Sequence, residues 1–118
     1  MKTILVADDY EVQRNLVSSF LEKKGYRVIK ASDGLSAYNY FINGEAIDML
    51  VSDLEMPNMT GLELAARVKR ISNYRNMPII MSTTRTPTLT PQLQSIVTCW
   101  FNKPFDVSKF LDMVAKLL

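Results

Sequence analysis

Short apolar runs alternate along the chain with longer stretches in which apolar residues recur at helical spacing. Ile4-Leu5-Val6-Ala7 reads as a first strand. Val12, Leu16, Val17, Phe20 and Leu21 then form the i, i+4, i+5, i+8 stripe of a helix that Gly25 stops. Tyr26 to Ala31 reads as a second strand, with Arg27 and Lys30 marking it as an edge. Asp33-Gly34 opens a helix carrying Leu35, Tyr38, Phe41 and Ile42, which ends at Asn43-Gly44. Met49-Leu50-Val51 is apolar without a break, as a strand buried on both faces should be. Thr60 and Glu63 have capping-box spacing, so Thr60 should bond a first-turn N–H while Glu63 reaches back. The helix they begin carries Leu64, Ala65, Val68 and Ile71. Ile79-Ile80-Met81 and Cys99-Trp100-Phe101 read as the fourth and fifth strands. Val107, Phe110, Leu111, Val114 and Leu118 line the inward face of a last helix.

Strands alternating with helices predict an α/β fold with a parallel, doubly wound sheet, because each crossover helix must pack back on the sheet. The 118 residues fit one domain, 1–118, with no linker or repeat. One segment departs from the pattern. Residues 82–91 are rich in Thr and Pro where a fourth helix should begin. Pro87 and Pro91 are each tolerated in a helix's first turn but not in its interior, so this helix is expected to be short or displaced.

Polar residues fall at the strand ends. Asp8 and Asp9 follow the first strand, Asp53 the third, Thr83 the fourth and Lys103 the fifth. C-terminal ends of parallel strands share one edge of the sheet, the edge where open α/β sheets bind ligands. Three carboxylates repel one another unless a cation sits among them, and an all-oxygen donor set suits Mg²⁺. Neighbours on a strand point to opposite faces, but at its end the chain is turning. One of Asp8 and Asp9 would then reach the metal directly and the other through water; Asp9 could instead be only a helix N-cap. Asp53 has the chemistry of a nucleophile toward phosphorus. Mg²⁺ and Lys103 would neutralise the transferring group, and the Thr83 hydroxyl can donate to one of its oxygens.

Composition narrows the choices. The chain has no histidine, which removes histidine acid–base catalysis, Ser/His and Cys/His pairs and most zinc sites. Its 14 basic and 12 acidic residues are scattered, giving a net charge of +2 and no expectation of direct nucleic-acid binding. The single cysteine, Cys99, lies in an apolar run and reads as a small buried side chain in a reducing compartment. The acidic pair arrives too early for a secretory leader and no apolar run is long enough to insert in a membrane, so a cytoplasmic location is expected. The glycosylation pattern Asn58-Met59-Thr60 would then go unused.

Taken together, Asp8-Asp9, Asp53-Leu-Glu-Met-Pro-Asn-Met-Thr-Gly61, Thr83 and Lys103-Pro-Phe105 resemble the receiver domains of two-component response regulators, the single-domain chemotaxis type in particular. The resemblance covers essentially the whole chain. It implies a flavodoxin-like fold with five strands in order 2-1-3-4-5, five helices and a cis peptide between Lys103 and Pro104. It also implies phosphoryl transfer from a sensor histidine kinase or phosphotransfer protein to Asp53. Mg²⁺ would be held by Asp9, Asp53 and the backbone carbonyl of Glu55, with Asp8 assisting through water. A chain without histidine cannot donate phosphate to itself, so an outside donor fits. Its chemistry would be its own phosphorylation and dephosphorylation rather than turnover of a substrate, and its output the binding of a downstream effector protein.

Within that family Thr83 and the aromatic at Trp100 move together on phosphorylation, although Trp100 is larger than the usual ring and reads equally well as fixed packing. Thr84 is bulkier than the usual small residue there and would narrow access to Asp53. Ile96-Val97 replaces the usual Gly-Ala pair before the fifth strand. Glu55 and Arg85 stand where phosphate lifetime is tuned and carry opposite charges that could pair across the pocket mouth. The competing reading is a receiver-like interaction module that is not phosphorylated. A dehalogenase-like phosphatase needs an Asp where Glu55 stands, and neither nucleotide-binding glycine motif is present.

Overall fold

The structure, a computed structural model, describes residues 1–84 and 90–118. Five strands, β1 Thr3–Ala7, β2 Arg27–Ala31, β3 Met49–Asp53, β4 Ile79–Thr83 and β5 Cys99–Asn102, form one parallel sheet in the order β2-β1-β3-β4-β5. Helices α1 (Glu11–Lys23), α2 (Gly34–Ile42) and α3 (Gly61–Lys69) connect the first four strands, with a 3₁₀ turn at Ser72–Tyr74. After β4, α4 is a single turn, Pro91–Gln94, and α5 (Val107–Leu117) closes the chain. Among the described residues the fold therefore has four helices of nine residues or more, and one turn in the fourth position. Pro91 opens that turn, where its missing N–H costs nothing. Pro87 lies outside the described residues.

The sheet separates two cores. Every residue of β1, β3 and β4 is buried, as expected of central strands covered on both faces. Leu5, Leu50, Ile79 and Met81 meet Phe41 of α2 and Leu64 and Val68 of α3 on one face. Ile4, Val6, Met49, Val51 and Ile80 meet Val17 and Leu21 of α1 and Phe110 and Val114 of α5 on the other. Each fully buried Leu, Ile or Phe contributes roughly 1.5–3 kcal/mol by leaving water, so these two layers fix the sheet whose strand ends carry the polar residues.

Two stripes differ from expectation. On α1, Val17, Ser18 and Leu21 face the sheet, whereas Val12 is 79% and Leu16 48% exposed. The apolar arc of α1 is wider than the strip of sheet it covers. On α2 the buried residues are Gly34, Ala37 and Phe41, while Leu35 and Ile42 are exposed. Cys99 is half-buried rather than buried, because β5 is an edge strand. Caps set the helix starts. Asp33 accepts from the Ser36 N–H at 2.8 Å. Thr60 accepts from the Glu63 N–H at 3.2 Å, and its hydroxyl donates to the Glu63 carboxylate at 3.3 Å. Glu63 thus reaches the hydroxyl of Thr60 rather than its backbone N–H. Gly25, at φ +94°, ends α1 in a conformation that side chains disfavour. Tyr74 ties the α3 side to the β3 approach, its hydroxyl donating to the Glu45 carbonyl at 2.6 Å and its ring meeting Phe41 edge-on at 4.9 Å.

Candidate functional site

Strand register delivers the polar residues to one edge. Ala7 lies beside Ser52, Asp53 beside Ser82, and Thr83 beside Asn102. The acidic pair that follows Ala7 and the lysine that follows Asn102 therefore emerge level with Asp53. One carboxylate oxygen from each of Asp8, Asp9 and Asp53 lies within 4.8 Å of the others. Lys103 Nζ sits 3.3 Å from Asp53 Oδ1 and 3.4 Å from Asp8 Oδ2. Asp8 and Asp53 are buried, at 4% and 8% exposure, and Asp9 is exposed.

Asp8 is the fixed member of the pair. Its Oδ1 accepts from the Tyr10 N–H at 2.9 Å, and its carbonyl accepts from Arg14 Nη1 at 2.8 Å. The N-cap position before α1 is Tyr10, which makes no side-chain capping hydrogen bond, so Asp9 is not the helix cap. Its carboxylate is left for the acidic cluster. Burial pushes the Asp53 carboxyl above the usual carboxylate range, and the neighbouring Asp8 charge adds to this. The Lys103 ammonium and hydrogen bonds from Lys103 and the Glu55 N–H pull the other way without prevailing. Among the described residues, three carboxylates against one ammonium leave an excess of negative charge in a partly desolvated, all-oxygen site. That donor set fits a hard divalent cation such as Mg²⁺.

A cavity of 440 Å³ opens above Asp53, bounded by Asp9 and Tyr10 on one side and by Glu55, Thr84 and Lys103 on the other. Thr84 is exposed and lines it; Thr83 is buried, at 1% exposure, and is not among its lining residues. The Thr83 carbonyl accepts the Lys103 N–H at 2.7 Å, which links the two strand ends. Glu55 is exposed at the cavity wall. Trp100 is half-buried and packs against the core on the α2–α3 side. Arg85 lies outside the described residues. The Lys103–Pro104 peptide is cis.

Two cavity-lining residues escaped sequence reasoning. Tyr10 and Gln13 line the cavity, and nothing in their spacing distinguished them from solvated helix positions. Gly61 was legible only as part of a motif. A methyl group there would overlap the Asp53 carbonyl oxygen and come 2.5 Å from the Met81 sulfur, so the start of α3 can lie against Asp53 only with glycine. Asn58 takes a left-handed turn, φ 70°, before that helix.

Residues 4–115 match the family described as response regulator receiver domain. A chemotaxis protein CheY homolog of Campylobacter jejuni is 37% identical over 82 residues, which are 69% of this chain and 63% of that protein. The chain thus spans just under two thirds of that relative's length. The structure of the chemotaxis response regulator CheY4 of Vibrio cholerae superposes with a TM-score of 0.89 at 34% identity, covering 100% of this chain and 99% of the other. The response regulator TrrA of Thermotoga maritima, solved in complex with Mg(2+)-BeF, gives a TM-score of 0.88 at 30% identity, covering 100% of both chains. No helix among the described residues is long and apolar enough to cross a membrane. With fold, strand-end chemistry and near-complete sequence coverage in agreement, the chain belongs to the response regulator receiver domain family of two-component signalling.

Proposed function

We propose that Asp53 is a phosphoacceptor whose modification switches a protein-binding surface. The observation that carries this reading is the convergence of Asp8, Asp9 and Asp53 with the Lys103 ammonium 3.3 Å from Asp53. Mg²⁺ held by Asp9, Asp53 and the Glu55 backbone carbonyl, with Asp8 assisting, would supply charge neutralisation for the transferring group. The chain's own residues do the rest. An Asp53 carboxylate oxygen bonds to phosphorus as the bond from phosphorus to the donor's imidazole nitrogen breaks, and the electron pair stays on that nitrogen. Lys103 turns from the carboxylates toward one phosphoryl oxygen. The Thr83 hydroxyl donates to another, which draws in the end of β4.

A sensor histidine kinase or phosphotransfer protein would be the donor, and this chain has no histidine that could take that part. Both partners place the reaction in the cytoplasm. Because Lys103 is hydrogen-bonded to Thr83 through the backbone, the change at Asp53 spreads to β5, where Trp100 either follows the Thr83 segment or serves as its fixed backstop. The α4–β5–α5 face would then offer its altered shape to a downstream effector. Thr84 governs access to Asp53, and an ion pair between Glu55 and Arg85 would hinder attacking water.

Incubation with acetyl phosphate and Mg²⁺ tests the proposal. Intact mass should rise by one phosphoryl group, and Asp53→Asn or chelation of the metal should abolish the gain. A persistent absence of adduct on the unsubstituted protein would instead leave a receiver fold used only for contact. Arg85→Ala should speed loss of the phosphoryl group, and an unchanged decay rate would remove Arg85 from the account.

A further inference from the structure

The exposed side of α1 leads to a second cavity. It measures 290 Å³ and lies between α1 and the segment joining β5 to α5. Gln13, Thr84 and Lys103 border both this cavity and the one above Asp53, so the two adjoin at that junction. Beyond the junction the walls are apolar, formed by Leu16, Val17, Phe20, Phe105, Val107 and Phe110. Phe105 and Phe110 are tilted against each other at 5.1 Å, which gives the floor a fixed aromatic surface. The combined shape is amphipathic, with an ammonium and a carboxylate nucleophile at one end and hydrocarbon at the other.

We infer that this apolar cavity receives the acyl group of a small acyl-phosphate donor, so that donors with an aromatic or branched acyl group phosphorylate Asp53 in preference to acetyl phosphate. The inference rests on the phosphoacceptor reading of Asp53. A leaving oxygen on the far side of phosphorus from Asp53 would enter the cavity that Gln13 and Thr84 line. Lys103 at the junction offers a cation to the departing carboxylate. In the reaction an Asp53 oxygen bonds to phosphorus, the bond from phosphorus to the acyl oxygen breaks, and the electron pair leaves on the acyl carboxylate. No proton or redox partner is needed. The cavity's volume is at the lower end of small-molecule sites, about 300 Å³, and suits one ring rather than a larger ligand.

Benzoyl and acetyl phosphate make the comparison, because benzoate and acetate are leaving groups of similar basicity. Phosphorylation with Mg²⁺ should give a benzoyl-to-acetyl ratio of second-order rate constants of about tenfold, the scale of discrimination a small apolar pocket supplies. Leu16→Asp charges the exposed rim and Phe20→Ala removes a half-buried wall; each should bring the ratio toward one, with the acetyl rate of the same variant as reference. In saturation-transfer NMR, free benzoate should receive signal from the unsubstituted protein and lose it in Leu16→Asp. A ratio near one in the unsubstituted protein, or a ratio unmoved by both variants, would overturn the inference while acetyl phosphate still labels Asp53. Failure of acetyl phosphate to label Asp53 would instead remove the phosphoacceptor reading, and this inference with it.

Discussion

Replacing Asp53 by Asn removes one negative charge from a site where the described residues supply three carboxylates and a single ammonium, while keeping an oxygen to accept from the Glu55 N–H. Two oxygens no more than 4.8 Å apart repel by about 3 kcal/mol or more at an effective dielectric constant of about 20, which is the scale of the Asp8–Asp53 pair. The exposed Asp9 is screened by water and adds on the order of 1 kcal/mol. Against these, Lys103 at 3.3 Å attracts Asp53 by about 5 kcal/mol on the same scale. Charge–charge effects thus nearly cancel, and the burial of the carboxylate, 8% exposed, decides the sign. The ionised Asp53 should destabilise the metal-free fold by about 1–3 kcal/mol.

The pH dependence follows from the same balance. The native carboxyl is raised from its ordinary 3.8. Below that value both folded and unfolded chains are protonated, and Asp and Asn are equivalent. As pH rises through the native value, the folded protein must give up a proton it holds more tightly than the unfolded chain does, so the Asp53 protein loses stability relative to Asp53→Asn. Urea unfolding in EDTA at pH 7 should therefore show the variant as the more stable protein, with the difference fading toward pH 4. Magnesium at ten times its dissociation constant should return about 1.4 kcal/mol to the unsubstituted chain alone. A variant that is less stable than its parent in EDTA at pH 7 would refute this account.

Lys103→Met leaves the carboxylates without their cation and should cost about 3 kcal/mol in EDTA at pH 7 by urea unfolding, with much of the loss recovered on adding Mg²⁺. Gly61→Ala should cost about 2–4 kcal/mol, since the added methyl meets backbone that cannot yield; it should also slow acetyl-phosphate labelling, measured by intact mass. Tyr74→Phe leaves the Glu45 carbonyl without its donor and should lower stability by about 1 kcal/mol without changing the labelling rate.

The features legible in the sequence are those that depend on local rules. Unbroken apolar runs marked β3 and β4, and polar residues directly after such runs had to fall on one sheet edge, which placed Asp8, Asp9, Asp53, Thr83 and Lys103. Asp33 and Thr60 announced their caps because a short side chain before a helix has few other uses. What was not legible depends on partners distant in sequence. Periodicity gave α1 an apolar arc but could not say that the sheet covers only the Val17–Leu21 side of it. The placement of Asp8 turned on the Tyr10 N–H and the Arg14 guanidinium, whose positions follow from the turn after β1. Thr84 rather than Thr83 borders the cavity because Thr83 remains in the strand ladder.

That ladder has a mechanical consequence. The amide of Lys103 and the carbonyl of Thr83 share a 2.7 Å hydrogen bond, so the bases of these two side chains are riveted together at the sheet edge. Neither strand tip can slide along its neighbour without breaking a bond worth on the order of 1 kcal/mol. Displacement of one tip is therefore transmitted as a joint tilt of both, and a ligand that grips only the lysine also moves the threonine.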